Sequence, residues 1–148
     1  MKIPEYVTKE EVRKVCKELN IRDWTKLKKP SVTSEEAKLI LSIVNFDNLN
    51  IQVEDFRVGL EVELEHGTIF KSYNVTNNHP LLTGMIVMAH FMEMLDYYNR
   101  LEVAEIEGDL LKAVASKNTE KAIKYYKKLV TAKIELSEAE KKILNKAK

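Results

Sequence analysis

Two short phrases in the middle of the chain carry the residues that could do chemistry. Glu63 and His66 stand three residues apart, and so do His90 and Glu93. Residues at that spacing share one face of a helix. The first pair reads Glu-x-x-His and the second His-x-x-Glu, so two antiparallel helices would bring the four side chains together. Carboxylates and imidazoles from facing helices are the ligands with which helical bundles hold metal ions.

The cofactor that this ligand set suggests is a divalent transition ion, namely iron, manganese or zinc. Carboxylates mixed with imidazoles suit these ions better than calcium or magnesium, and positions stay open for water or dioxygen. Asp96 and Tyr97 follow Glu93 within about one helical turn, and we expect them to orient the metal ligands without binding the ion themselves. The equal alternative is a structural network in which carboxylates satisfy the two histidines without any metal.

The first element that must position these residues spans residues 53 to 66. Val58, Leu60, Val62 and Leu64 alternate as in a strand, although the same segment also fits a helix. We favour the helix because acids occupy its first turn and Gly67 stands where a left-handed C-terminal residue belongs. In a strand, the glutamates of this segment would share a solvent face and the metal site would be lost.

The second element is a helix predicted over residues 80 to 107. Pro80 can open it, and its apolar residues surround much of the circumference, which is typical of a buried central helix. Gly84 within it indicates the close approach of a neighbouring backbone. His79, just before it, is expected to be a surface cap. We expect this helix to pair with residues 53 to 66 as a central antiparallel hairpin.

The remaining segments are also helical in pattern. Thr8 and Thr33 can cap helices over residues 9 to 19 and from 34 to about 45, with Cys16 on the apolar face of the first. Short helices follow residue 112, the last of them capped by Ser137. The predicted fold is all-α, a compact bundle of about five or six helices around the hairpin. It forms one domain over 1–148, with a motif-bearing core at 53–101 and basic C-terminal helices at 112–148.

Composition limits the classes of function. Cys16 is the only cysteine among 148 residues, and the N-terminus has no apolar signal region. These features favour the cytoplasm, and no apolar stretch is long enough for a membrane span. The chain has no nucleophile elbow, phosphate-binding glycine loop, Cys-x-x-Cys or dinucleotide fingerprint. No organic cofactor is therefore indicated, and whether the protein is an enzyme stays open.

Charge is distributed unevenly along the chain. Residues 35–111 carry a net charge of −10, whereas residues 112–148 carry 11 basic and 4 acidic residues. The basic end, with four lysines beside Tyr125 and Tyr126, is compatible with a non-catalytic interaction protein that contacts an acidic partner or nucleic acid. A solvated helix face is the commoner explanation, and nucleic acid is the less favoured partner. The partner is not identified, and a homo-oligomer is compatible with the sequence.

A series of short motifs runs through the same central region. They are Glu-Leu-Glu-His-Gly at 63–67, Asn-Val-Thr-Asn at 74–77, Leu-Thr-Gly at 82–84, Ala-His-x-x-Glu at 89–93 and Asp-Tyr-Tyr at 96–98. In this order they resemble a family of small uncharacterised proteins that is widespread in prokaryotes and their phages. The resemblance covers about a third of the chain. It implies a relationship, and it does not imply an activity.

Overall fold

The computed structural model of the chain describes residues 5–146. They form six α-helices, two short 3₁₀ segments and no strand within that range. The helices are α1 (Lys9–Glu18), α2 (Ser34–Val44), α3 (Val53–Thr68), α4 (Pro80–Glu93), α5 (Tyr97–Ala115) and α6 (Thr119–Lys146). The 3₁₀ segments span Trp24–Lys26 and Lys71–Tyr73. The predicted all-α class with about six helices is confirmed.

Side-chain caps fix the starts of the first two helices where the sequence predicted them. The Thr8 hydroxyl accepts a hydrogen bond from the Glu11 amide at the start of α1. Thr33 and Glu36 form a reciprocal capping box at the start of α2. Each cap satisfies amide groups that the helix itself leaves without partners.

The ambiguous segment after residue 53 is a helix. Its buried residues share one helix face, with Phe56, Leu60, Leu64 and Thr68 four residues apart and Gly59 beside them. This spacing places the glutamates on more than one side of the helix, so the strand alternative does not hold. The expectation for Gly67 was wrong, because α3 continues to Thr68 and none of the described glycines has a positive φ.

The long helix predicted over residues 80 to 107 is two helices. α4 ends at Glu93, residues 94–96 form a turn, and α5 begins at Tyr97. The separate last helix predicted to begin at Ser137 is instead part of one continuous helix, α6, and Ser137 lies inside it. The less exposed residues of α6 recur with a spacing of three and four, at Ala122, Tyr125, Leu129, Ala132, Leu136 and Ala139. This regular stripe packs along α5 and outweighs the local capping signal.

The chain divides into two compact units, Met1–His90 and Phe91–Lys148. In the first unit, Trp24 and Phe56 are fully buried, and Cys16 is buried as expected. α4 approaches α2 and α3 closely at Gly84, where an added Cβ would lie 2.7 Å from Ile40 Cγ2. The groups that approach Gly84 are therefore side chains, whereas the sequence predicted the approach of a neighbouring backbone.

The second unit consists mainly of α5 and α6. The two helices run antiparallel, because Glu107 pairs with Lys133 at 3.0 Å and Arg100 pairs with Glu140 at 2.8 Å. Within the described residues, no helix has the length and apolar character needed to cross a membrane.

Candidate functional site

The centre of the site is the carboxylate of Glu63, which lies between two imidazoles in the first unit. Oε1 of Glu63 is 3.5 Å from Nε2 of His90, and Oε2 is 3.6 Å from Nδ1 of His66. The Glu63 side chain is only 9% exposed, whereas that of His66 is 63% exposed. One buried acid therefore contacts a histidine from its own helix and another from α4.

The hydrogen-bond geometry fixes the orientation of His66. Its Nδ1 lies 3.2 Å from the backbone carbonyl oxygen of Glu63, one turn earlier in α3. A carbonyl oxygen can only accept, so Nδ1 carries the proton in this arrangement. With Nδ1 as the donor, Nε2 is the ring nitrogen that can face another group.

Three of the four predicted metal ligands, Glu63, His66 and His90, meet around the Glu63 carboxylate. Glu93, the fourth, is the exposed last residue of α4. Among residues 5–146, no group of three or more His, Cys, Asp or Glu side chains is arranged to hold a metal ion. The metal site and its cofactor stay predictions.

A cavity of about 260 Å³ opens beside Glu63. Its walls combine a carboxylate, an imidazole, two amides and two threonine hydroxyls with a few apolar side chains at the mouth. The lining residues are Glu63, His66, Gly67, Tyr73, Asn74, Val75, Thr76, Asn78, Thr83 and Ile86. Tyr73 and Val75 are strongly exposed, at 77% and 82%, so the outer rim is apolar while the inner wall is polar.

The inner wall of this cavity is built by Asn78. Its amide nitrogen donates to the backbone carbonyl of Trp24 at 3.2 Å, and its side-chain oxygen accepts from Asn74 at 3.0 Å. Asn77 and Asn78 both have a positive φ, a conformation that asparagine tolerates better than most residues. The tight backbone turn therefore aims a buried amide at the cavity from the loop between α3 and α4.

His79 acts as the predicted cap of α4, although it is buried and not on the surface. The Leu82 amide donates to Nδ1 of His79 at 3.3 Å, which requires that nitrogen to be unprotonated. Burial lowers the pKa of His79 and outweighs the nearby charge of Glu11, which raises it. His79 does not line the cavity.

The two residues expected behind the metal ligands lie in the second unit. Asp96 is buried and accepts a hydrogen bond from Arg100 at 2.6 Å. The Tyr97 ring packs edge to face against Tyr98, with centroids 5.1 Å apart. Asp96 thereby belongs to the start of α5, and its predicted support of a metal site stays untested.

Sequence reasoning missed most of the cavity wall. Asn74, Asn78 and Thr83 line the cavity, and the sequence alone indicated no role in a site for them. The consecutive asparagines before Pro80 were the available signal, because paired asparagines favour turns with positive φ.

The comparison with protein families identifies a relationship. Residues 12–107 match the family described as "Protein of unknown function (DUF5661)". The chain belongs to this family. The matched region contains the whole cavity and ends within α5, so α6 lies beyond it. No curated protein and no solved structure matches the chain.

Proposed function

We propose that the cavity beside Glu63 binds a small organic molecule that carries a cationic or hydrogen-bond-donating group. The observation that carries this proposal is the Glu63 carboxylate, which is held nearly buried between His66 and His90 at the cavity wall. Concave sites with a few converging polar groups are the usual form of small-molecule sites.

The charges on the cavity wall indicate which class of ligand can bind. Glu63 is the one carboxylate among the lining residues, and neither lysine nor arginine is among them. A phosphate or carboxylate ligand would therefore approach an acid at a wall that is lined by no lysine or arginine, which is unfavourable. An amine or amidine would instead pair with Glu63 through charge-assisted hydrogen bonds. The apolar rim formed by Tyr73 and Val75 suits a ligand with a small hydrophobic body.

The sequence motifs support the same location. Glu63, His66 and Gly67 come from the first motif, Asn74 and Thr76 from the second, and Thr83 from the third. These segments, which carry the resemblance to prokaryotic and phage proteins, converge on one cavity. We further propose a cytoplasmic location, because the lone cysteine is buried and suits a reducing compartment.

The test compares benzamidine with benzoate, two probes with the same ring and opposite charge. In nuclear magnetic resonance titrations, benzamidine should shift the side-chain amide signals of Asn74 and Asn78, and benzoate should not. Glu63→Gln should remove the benzamidine response, because the carboxylate is lost while the shape is kept. Asp55→Asn, at an exposed position on the same helix, is the matched control. Equal shifts from both probes, or shifts that survive Glu63→Gln, would contradict the proposal.

One observation supports transition-metal binding as a second candidate function. Ligand atoms on a tetrahedral ion with bonds of about 2.0–2.1 Å lie roughly 3.4 Å apart. The separation between Oε1 of Glu63 and Nε2 of His90 is 3.5 Å, so an ion could bridge this pair without large movements. The pair supplies two ligands, and the remaining positions would need water or a rotation of the His66 ring, whose Nδ1 faces the Glu63 carbonyl.

A further inference from the structure

The side-chain amide of Asn74, at the cavity wall, is held in one orientation by a chain of hydrogen bonds. The backbone carbonyl of Trp24 can only accept, so Asn78 must place its amide nitrogen there, at 3.2 Å. The oxygen of Asn78 is then the atom that accepts from the nitrogen of Asn74, at 3.0 Å. Asn74 therefore turns its nitrogen towards Asn78, and its Oδ1 is the atom that a ligand in the cavity can engage.

The surrounding structure fixes this chain of two amides. Asn78 is buried, and a Cβ atom added at Gly67 would lie 2.6 Å from the amide nitrogen of Asn74. The absence of a side chain at Gly67 is thus what lets the two amides meet beside α3. Asn77, in the same loop, donates to the backbone carbonyl of Val7 at 2.6 Å. The acceptor on Asn74 is therefore held in place before a ligand arrives, which lowers the entropic cost of binding.

The cavity presents hydrogen-bond acceptors on two sides. Glu63 contributes a carboxylate from α3, and Asn74 contributes Oδ1 from the loop that follows. Such a pair suits a ligand that carries N–H donors on more than one edge. An ammonium group is a compact charge with three donors, whereas a monosubstituted guanidinium is a planar fork with five. The guanidinium can pair with the carboxylate along one edge and donate to a second acceptor from another.

We propose that the cavity binds a guanidinium compound with a short aliphatic chain, and that Asn74 selects guanidinium over ammonium. This inference rests on the proposed binding of cations beside Glu63 and adds the chemical class of the ligand. The cavity volume of about 260 Å³ lies below the range of about 300–1,000 Å³ usual for drug-sized ligands, so the ligand is compact. Its chain would lie against Tyr73 and Val75 at the mouth. Asn78 is a positioning residue, because it acts through the orientation of Asn74.

The test compares butylguanidinium with butylammonium, two cations that carry the same alkyl chain and the same charge. In nuclear magnetic resonance titrations of the full chain, butylguanidinium should bind about tenfold more tightly, the usual effect of an added hydrogen bond from a charged group. It should also shift the side-chain amide signals of Asn74 more than butylammonium does, because a bond to the amide oxygen polarises the amide N–H groups. This comparison needs only the unmodified protein.

Variants assign the preference to its residue. Asn74→Ala should weaken butylguanidinium binding by about tenfold and leave butylammonium binding unchanged, so that the preference disappears. Asn78→Ala should also reduce the preference, because Asn74 then loses its fixed orientation. Glu63→Gln should weaken both cations, and Asn50→Ala, at an exposed position in another loop, should affect neither. Circular dichroism would verify that each variant is folded.

The outcomes separate this inference from the proposed function. Equal binding of the two cations by the unmodified protein, or a preference that survives in folded Asn74→Ala, would overturn the inference while cation binding beside Glu63 still holds. Tighter binding of butylammonium that Glu63→Gln removes would assign the cavity to amines instead. If benzamidine and both alkyl cations all fail to bind, the proposed function fails together with the inference.

Discussion

Gly67 and Asn78 are in such close contact that the position of one depends on the other. A Cβ atom added at Gly67 would lie 1.6 Å from Oδ1 of Asn78, far inside any allowed contact distance. Because Gly67 has no side chain, the buried amide of Asn78, in the loop after α3, can occupy the space beside it. This contact connects the helix that carries Glu63 to the wall of the proposed ligand cavity.

Gly67→Ala should destabilise the protein by about 1–3 kcal/mol, the usual cost of overpacking a buried site. Asn78 cannot simply rotate away, because its amide also binds the Trp24 carbonyl. Chemical denaturation would measure the change. The matched control is Gly108→Ala, where an added Cβ meets no atom within 4 Å. That helical substitution should stabilise by about 0.5–1 kcal/mol, and a similar gain at Gly67 would contradict the packing argument.

Glu36→Ala should lower the free energy of unfolding by about 3 kcal/mol, because it removes one partner of a largely buried network. Glu36 is 5% exposed and accepts hydrogen bonds from Arg22, the Thr33 amide and the Trp24 indole. Burial would raise the pKa of Glu36, but these bonds outweigh it and lower the pKa. Denaturant unfolding would give the loss, and exposed Glu35→Ala is the control. A loss equal to that of Glu35→Ala would show that the network contributes little.

Acidification should destabilise the fold through His79. Burial lowers the pKa of His79 below its ordinary value of 6.5, so the unfolded chain binds a proton more readily than the folded one. The contribution of this residue is therefore fully present above that ordinary value and is lost as the pH falls towards the lowered pKa. Protonation of Nδ1 would also remove the cap of α4.

Thermal unfolding from about pH 8 to pH 5, a range in which histidine titrates, would measure this effect. His79→Asn should reduce the loss on acidification, since asparagine can cap without titrating. An unchanged pH dependence in that variant would exclude His79 as its origin.

Zinc, manganese or ferrous iron should raise the melting temperature if Glu63, His66, His90 and Glu93 bind metal, because a ligand of the folded state stabilises it by mass action. His90→Ala should abolish the shift, whereas His79→Ala should preserve it. Metal analysis of protein purified without chelators would complement the melting curves. The hypothesis fails if none of the three ions changes the melting temperature, or if the shift survives His90→Ala.

The sequence by itself determined the helical class, the starts of α1 and α2 and the pairing of Glu63 with His66. These features depend on residues a few positions apart, so periodicity and capping patterns suffice to predict them. The burial of Cys16 followed from the same local patterns. The sequence also predicted that Glu63, His66, His90 and Glu93 would converge, with His90 level with His66, whereas the structure brings His90 to 3.5 Å from Glu63.

Only the tertiary structure decided which distant residues share a site. The contact of Gly67 with Asn78 depends on how a loop folds back onto α3, which no local periodicity encodes, and the predicted helix end at Gly67 is therefore wrong. The turn after Glu93 and the continuity of α6 through Ser137 were also decided by packing. Long-range contacts can outweigh local propensities of about 1 kcal/mol, and they formed a cavity wall from Asn74 and Asn78, to which the sequence alone gave no role in a site.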